Sequence, residues 1–233
     1  MTKIIPIKEL HIKEVAAREL PKDIEEGIQS YWNGLIAMFP GMFNGPVYST
    51  INMVNDDGIV TLTCEPSNYA HYKYSEIKDL GEYACRSIYA GCILVSADKK
   101  LFVSLNGRGS EFVGKIQGIG GVMDPNDRLS PLVTALRELE EEVGKEIKDS
   151  VNEIGKSYLV TNDGKFGFPF VFYSSLVSEA ILHAFDSFKK KTGNNEVDKL
   201  ISFGKDDMDE LKKYELYQDI GIVELLKIIM KDL

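Results

Sequence analysis

The sequence predicts an α/β fold, a mixed sheet sandwiched between helices, with an α+β module ahead of it. Three observations carry that expectation. From residue 87 onward, strand-like apolar runs alternate with segments of helical period. Turn residues separate the runs where hairpins are expected. The 86 residues ahead of them are too many for a leader and hold helix and hairpin signals of their own.

Taken in order, the N-terminal module (1–86) has a helix candidate over Asp23–Met38 that stops before Pro40-Gly41. Val47–Val54 and Ile59–Cys64 form an expected hairpin around Asn55-Asp56-Asp57-Gly58. A second helix is expected over Tyr69–Ile77. In the second half (87–233), Ser87–Ser96 and Leu101–Leu105 read as strands around the turn Ala97–Lys100, and Lys115–Gly121 as a short strand leading into a glycine loop. Tyr158–Thr161 and Phe168–Val177 are further strands joined at Asn162-Asp163-Gly164. Glu179–Lys191 reads as a helix, Val197–Phe203 as a strand and Val223–Lys231 as a final helix. Acids at Asp206, Asp207, Asp209 and Glu210 suit the positive end of a helix start.

Composition narrows the function. The chain has 233 residues, 44% hydrophobic and 27% charged, which suits a soluble globular protein with a sizeable core. A net charge of −9 argues against coating nucleic acid, which requires basic surface. It leaves room for a small nucleotide, because a bound divalent cation offsets local charge. Cys64, Cys85 and Cys92 are odd in number and lack metal-ligand spacing, so buried free thiols are expected. No apolar leader or membrane span is visible, which makes the cytoplasm the default location, with no membrane partner.

The most informative stretch is Arg137–Gly144 (RELEEEVG), preceded by Gly120-Gly121. Ser130 is a good N-cap and Pro131 sits at the first helical position. On that helix Leu132, Ala135, Leu136, Leu139 and Val143 form the core stripe. Glu138, Glu141 and Glu142 gather within an arc of roughly 100° on another face. Like charges at these spacings repel unless something neutralises them. A hard divalent cation such as Mg²⁺ would do so, binding carboxylates while keeping waters and substrate phosphates. A solvated acidic face is the structural alternative.

These residues resemble the Nudix box, G-x5-E-x7-R-E-U-x-E-E-x-G-U with U a bulky aliphatic. Arg137, Glu138, Leu139, Glu141, Glu142 and Gly144 match in register. Gly121 matches the opening glycine only if the loop Val122–Arg128 is two residues longer than usual. The glutamate expected eight residues before the arginine is Leu129, and the final aliphatic is Lys145, with Ile147 the nearest substitute. In the family that glutamate commonly pairs with the box arginine or assists the metal site; Asp124 and Asp127 are the candidates to compensate. The N-terminal Tyr31-Trp32, Pro40…Phe43-Asn44-Gly45 and Tyr69…Tyr72 resemble the branch that includes a UDP-glucose-hydrolysing enzyme. Trp32, Phe39 and Phe43 read more readily as core residues than as ligand contacts.

The resemblance implies a Nudix-type α/β/α sandwich and cleavage of a diphosphate joining a nucleoside to another moiety. It implies Mg²⁺, with Mn²⁺ as an alternative, held by Glu138, Glu141 and Glu142, with Arg137 orienting a box glutamate. A UDP-sugar ranks ahead of ADP-ribose as substrate. Gly120 and Gly121 allow close approach of a ligand. Arg108 in its glycine-flanked loop is a candidate phosphate or sugar contact, or an exposed turn arginine. Glu196 is the outside candidate for an extra metal ligand or base, or a solvent-exposed strand-end glutamate. Family members often dimerise, which allows a homodimer. The competing expectation is a Nudix-fold module that binds or senses a nucleotide without turnover, favoured by Leu129 and Lys145.

Overall fold

The computed structural model describes residues 2–110, 112–162, 164–216 and 221–233. Its framework is a nine-stranded mixed sheet, β1 (Lys3–Ile7), β9 (Val151–Asn162), β10 (Lys165–Ser174), β5 (Ile88–Val95), β6 (Leu101–Asn106), β7 (Lys115–Gln117) and β12 (Glu215–Leu216) in that order. Two strands lie off this path: β8 (Ile119–Val122) pairs with β5, and β11 (Val197–Phe203) pairs with β6. The β10–β5 and β12–β7 pairs are parallel and the other pairs are antiparallel.

The period-2 alternation of a strand explains the layering. On β5, Ile88, Ala90, Cys92 and Leu94 enter one core, while Ile93 and Val95 enter another. The first core receives Ala135, Leu139 and Val143 of α3 (Pro131–Val143) and Ile181, Ala184 and Phe185 of α5 (Ser178–Thr192). The second receives Leu225, Leu226, Ile229 and Met230 of α6 (Ile222–Asp232). Helices therefore cover both faces of the sheet. Burying each such side chain contributes about 1.5–3 kcal/mol before chain entropy is counted.

A second sheet, β2 (Glu9–Glu14), β4 (Ile59–Asn68) and β3 (Pro46–Asp56), packs Val60, Leu62 and Cys64 onto the first core. Its hairpin closes through Asp57 and Gly58, both at positive φ, between the paired Asp56 and Ile59. Beside it, α1 (Lys22–Met38) and α2 (Tyr69–Ile77) bury Ile28, Trp32, Leu35 and Ala70 in a small cluster of their own.

Most expected elements are present, and the departures have physical causes. Lys115–Gly121 is two strands rather than one; the chain breaks at Gly118, and the halves pair with different neighbours. β9 begins seven residues earlier than expected, in a half-polar stretch that is a strand through its pairing with β10. β1 and β2 also escape the pattern reading. Phe39 and Phe43 are 57% and 79% exposed, so only Trp32 of the three aromatics is core. Asp163 of the expected turn and the Asp209 side chain lie outside the described residues. The three cysteines are free and buried, and among the described residues no helix is long and apolar enough to cross a membrane.

Candidate active site

The acidic helix is fixed at its start. Ser130 accepts from the Val133 amide at 3.4 Å, and Pro131 occupies the first turn. With Ala135, Leu139 and Val143 turned to the core, Arg137, Glu138, Glu141 and Glu142 are carried to the side that meets β8. Glycine makes that approach feasible. A Cβ at Gly121 would stand 2.3 Å from Glu138 Oε1, and one at Gly120 2.5 Å from the Ala90 carbonyl oxygen.

Arg137 organises the cluster. Its Nε donates to Asp127 Oδ1 at 3.0 Å and its Nη2 to Asp127 Oδ2 at 3.0 Å, the fork-to-fork pairing a guanidinium favours. Its Nη1 reaches Glu138 Oε1 at 2.6 Å and Glu141 Oε2 at 3.0 Å. The hydrogen bond to Asp127, above all, raises the Arg137 pKa further. Burial alone would raise Asp127; bonds from Arg137, the Asp124 amide and Thr134 outweigh it and lower its carboxyl. Thr134 Oγ1 donates to Asp127 Oδ2 at 2.9 Å.

The other acids sit in the opposite regime. Burial, reinforced by Glu141 and Glu196 against the pull of Arg137, pushes Glu138 up to about 7. Glu142 is 2% exposed; burial first, then Glu138 and Glu196, drive its carboxyl well above the ordinary range. Its Oε2 has no hydrogen-bond partner among the described residues. Glu196 keeps much of its surface open, yet partial burial of the carboxyl and the charge of Glu141 raise it too. These acids repel one another across a site of low polarity.

Glu138, Glu142, Glu196, Gly120 and Gly121 line one cavity of about 410 Å³. Glu141 does not line it; it is 58% exposed and bonded to Arg137. Arg108 is exposed on its loop and also lies outside the lining, although Gly109 and Ser110 beside it take part. The structure thus gathers five of the expected site residues around the cavity, with Arg137 behind them.

A family model described as the NUDIX domain matches residues 86–222. The chain belongs to the NUDIX family. Membership carries its class, a Nudix-type pyrophosphohydrolase, and such enzymes generally use a divalent metal such as Mg²⁺. No curated protein is significantly similar to the chain. Among solved structures it is similar to the Escherichia coli ORF135 protein (17% identity, 62% of this chain and 91% of that one, TM-score 0.37). It is also similar to the NUDIX domain of Shewanella oneidensis NrtR complexed with ADP ribose (11%, 69% and 96%, TM-score 0.41). A third similar structure is the Caenorhabditis elegans Ap4A hydrolase (14%, 64% and 99%, TM-score 0.37).

The structure also corrects the register of the Nudix box. Asp127, not Leu129, pairs with the box arginine. Counted from Gly121, Asp127 stands at the family's G-x5-E spacing, so the two extra residues follow it rather than precede it. They are Arg128 and Leu129, both in the left-handed region with φ of 52° and 57°. Two consecutive non-glycine residues there are uncommon and strained. They turn the chain from the Pro125–Asp127 3-10 turn into the helix cap, while Leu129 packs against the core. At the other end Ile147, fully buried on α4 (Lys145–Asp149), fills the aliphatic place that Lys145 leaves open. The missed signal was the G-x5-D spacing.

Among the described residues no group of three or more Asp, Glu, His or Cys is arranged as a metal cage; Glu138 and Glu141 bond Arg137 instead. The donor chemistry nevertheless fits a hard cation. Glu138 and Glu142, the latter with its partnerless Oε2, line the cavity, and the two lysines of that lining, Lys73 and Lys165, pair with Glu76.

Proposed function

We propose that the chain is a Mg²⁺-dependent hydrolase that cleaves the diphosphate of a nucleoside diphosphate linked to a second moiety, with a UDP-sugar ahead of ADP-ribose. The observation that carries this reading is the burial of Glu138 and Glu142 at the cavity wall, with Glu142 Oε2 unsatisfied. A buried, unpaired carboxylate oxygen is costly and is retained where a ligand completes it. The preference for a UDP-sugar rests on the N-terminal Tyr31-Trp32, Phe43-Asn44-Gly45 and Tyr69…Tyr72 pattern alone.

Glu138, Glu142 and Glu141 would hold the metal, which when bound neutralises phosphate oxygens and lowers the pKa of a bound water. Arg137 fixes the orientation of Glu138, and Asp127 fixes Arg137. Glu196, on the same cavity lining, supplies a carboxylate whose pKa burial raises, the direction that suits a group accepting a proton from an attacking water. The Gly120-Gly121 backbone leaves room for a phosphate against the strand. Residues 1–86 act in this reading as an accessory module that completes the substrate cavity.

The test is a hydrolysis panel read by mass spectrometry with Mg²⁺: UDP-glucose, ADP-ribose, a dinucleoside polyphosphate, NADH and an oxidised nucleoside triphosphate. One substrate should turn over, and EDTA should abolish its turnover. Nucleotide binding by calorimetry with no turnover of any panel member would instead support a module kept for recognition.

A further inference from the structure

The cavity has a second end, remote from the acids. Across the sheet, Val122 of β8 stands opposite Tyr89 of β5, Tyr89 opposite Gly167 of β10, and Gly167 opposite Val160 of β9. Three strand spacings make this row about 14 Å long. That length suits an extended nucleoside diphosphate. All four residues line the cavity, whose β8 end holds Glu138 and Glu142.

At the β9 end the lining changes character. Tyr69 and Tyr72 of α2 enter with ring centroids 5.8 Å apart and tilted by 49°, and Phe166 lines the same space. The tyrosines are held in place before any ligand arrives. Trp32 meets Tyr69 edge-on at 6.3 Å. Asn68 caps α2 by accepting from the His71 amide at 3.0 Å, and Asn44 accepts from the Ala70 amide at 2.7 Å. Glu76 accepts from Tyr72 at 3.0 Å and from Lys73 at 2.8 Å, and Lys165 of β10 reaches it at 3.3 Å. An α2 carboxylate thus ties the helix to the catalytic sheet.

Asn162 supplies the independent observation. It lines this end of the cavity, and its Oδ1 is buried with no hydrogen-bond partner among the described residues. A primary amide presents a donor and an acceptor side by side, the pattern that reads the edge of a nucleobase. Aromatic faces beside a buried amide describe a pocket for a flat, hydrogen-bonding ring.

We infer that Tyr69 and Tyr72 of α2, with Asn162 of β9, bind the aromatic base of the nucleotide, so that the N-terminal module selects the substrate. This rests on the hydrolase reading only for what occupies the acidic end. The diphosphate then lies along β5 towards Glu138 and Glu142, and the second moiety projects beyond them. Choice of base resides in residues that the Nudix box does not contain.

Calorimetry in Mg²⁺ on the full chain tests it, with ADP, GDP, UDP and CDP compared with methylenediphosphonate, which has no base. One nucleoside diphosphate should bind at least tenfold more tightly than methylenediphosphonate. Tyr72→Leu and Asn162→Ala should each weaken that nucleotide about tenfold and leave methylenediphosphonate unchanged. Equal affinity of wild type for all five ligands overturns the inference without any variant having to fold. So does a loss in Tyr72→Leu that appears with UDP-glucose but not with UDP, which would place the second moiety here instead. Base-dependent binding without turnover in the hydrolysis panel would sustain the inference while the hydrolase reading fell. Turnover unaffected by either variant would do the reverse.

Discussion

Glu142→Gln is expected to abolish hydrolysis while making the metal-free protein more stable. The wild-type carboxyl is buried beside Glu138, with Glu196 adding to the repulsion, and one of its oxygens has no partner. An uncharged amide of the same shape removes the repulsion, a gain of about 1 kcal/mol, or about 2–4 °C in Tm for a chain of this size. Turnover should fall by about 10²–10³-fold, the scale seen when one preorganised electrostatic group is lost. The opposed signs separate function from folding: a variant that lost both activity and stability would mean that Glu142 is a structural residue. The pH dependence follows the same logic. Glu138 titrates near 7 in the folded chain and about 4.3 when unfolded. It binds its proton more tightly in the folded state, so its contribution is fully present below the unfolded value and declines as pH rises through the folded one. In EDTA, wild-type Tm should therefore drop between about pH 4.3 and pH 7 more steeply than that of Glu138→Gln. Equal slopes would show that Glu138 is not perturbed.

Asp127→Ala should be the most destabilising single change at the site. The side chain is 2% exposed and receives both arms of Arg137, the Thr134 hydroxyl and the Asp124 amide. Removing it strands several donors, one of them charged. Because Arg137 keeps 28% of its side chain in solvent, the loss is discounted from the range for a fully buried pair to about 3 kcal/mol. Tm should fall by about 6–12 °C, and turnover by about 10–100-fold as Arg137 ceases to orient Glu138. Leu129→Glu in the Asp127→Ala background decides the register. If Leu129 held the family position, the new carboxylate would rescue Arg137. Packed against the core from the left-handed region, it should not rescue, and chemical denaturation will show which holds.

Much of this was readable in the sequence, for reasons that differ from residue to residue. The acidic helix announced itself through two periodicities at once, a core stripe and a carboxylate face, bracketed by Ser130-Pro131 and Gly144. The Nudix fold followed from it. Asp127 was visible as one of two candidates, with Asp124, to stand in for the missing glutamate, and the box pattern did not choose between them. Its spacing runs forward from Gly121, whereas the box is naturally read backward from the arginine, and two left-handed residues absorb the difference. Glu141 and Arg108 show the converse limit. Side chains on the right helix or loop still leave the cavity when a guanidinium or open solvent offers a better partner. β1 was hard to see because its strand character comes from pairing with a segment over 140 residues away, which no local window contains.

That last pairing bears on how the chain can be divided. Residues 3–7 hydrogen-bond along β9 in the large sheet, and residues 9–14 along β4 in the small one, so one short segment is sewn into both. A fragment cut at residue 87 would keep the whole Nudix box yet uncover Ser157–Thr161 on the outer edge of β9. Bared strand edges recruit other strands. The catalytic half expressed alone should precipitate or self-associate unless a peptide carrying residues 2–8 is supplied to close the sheet. Recombinant work on the second half should therefore keep the β1 segment with it.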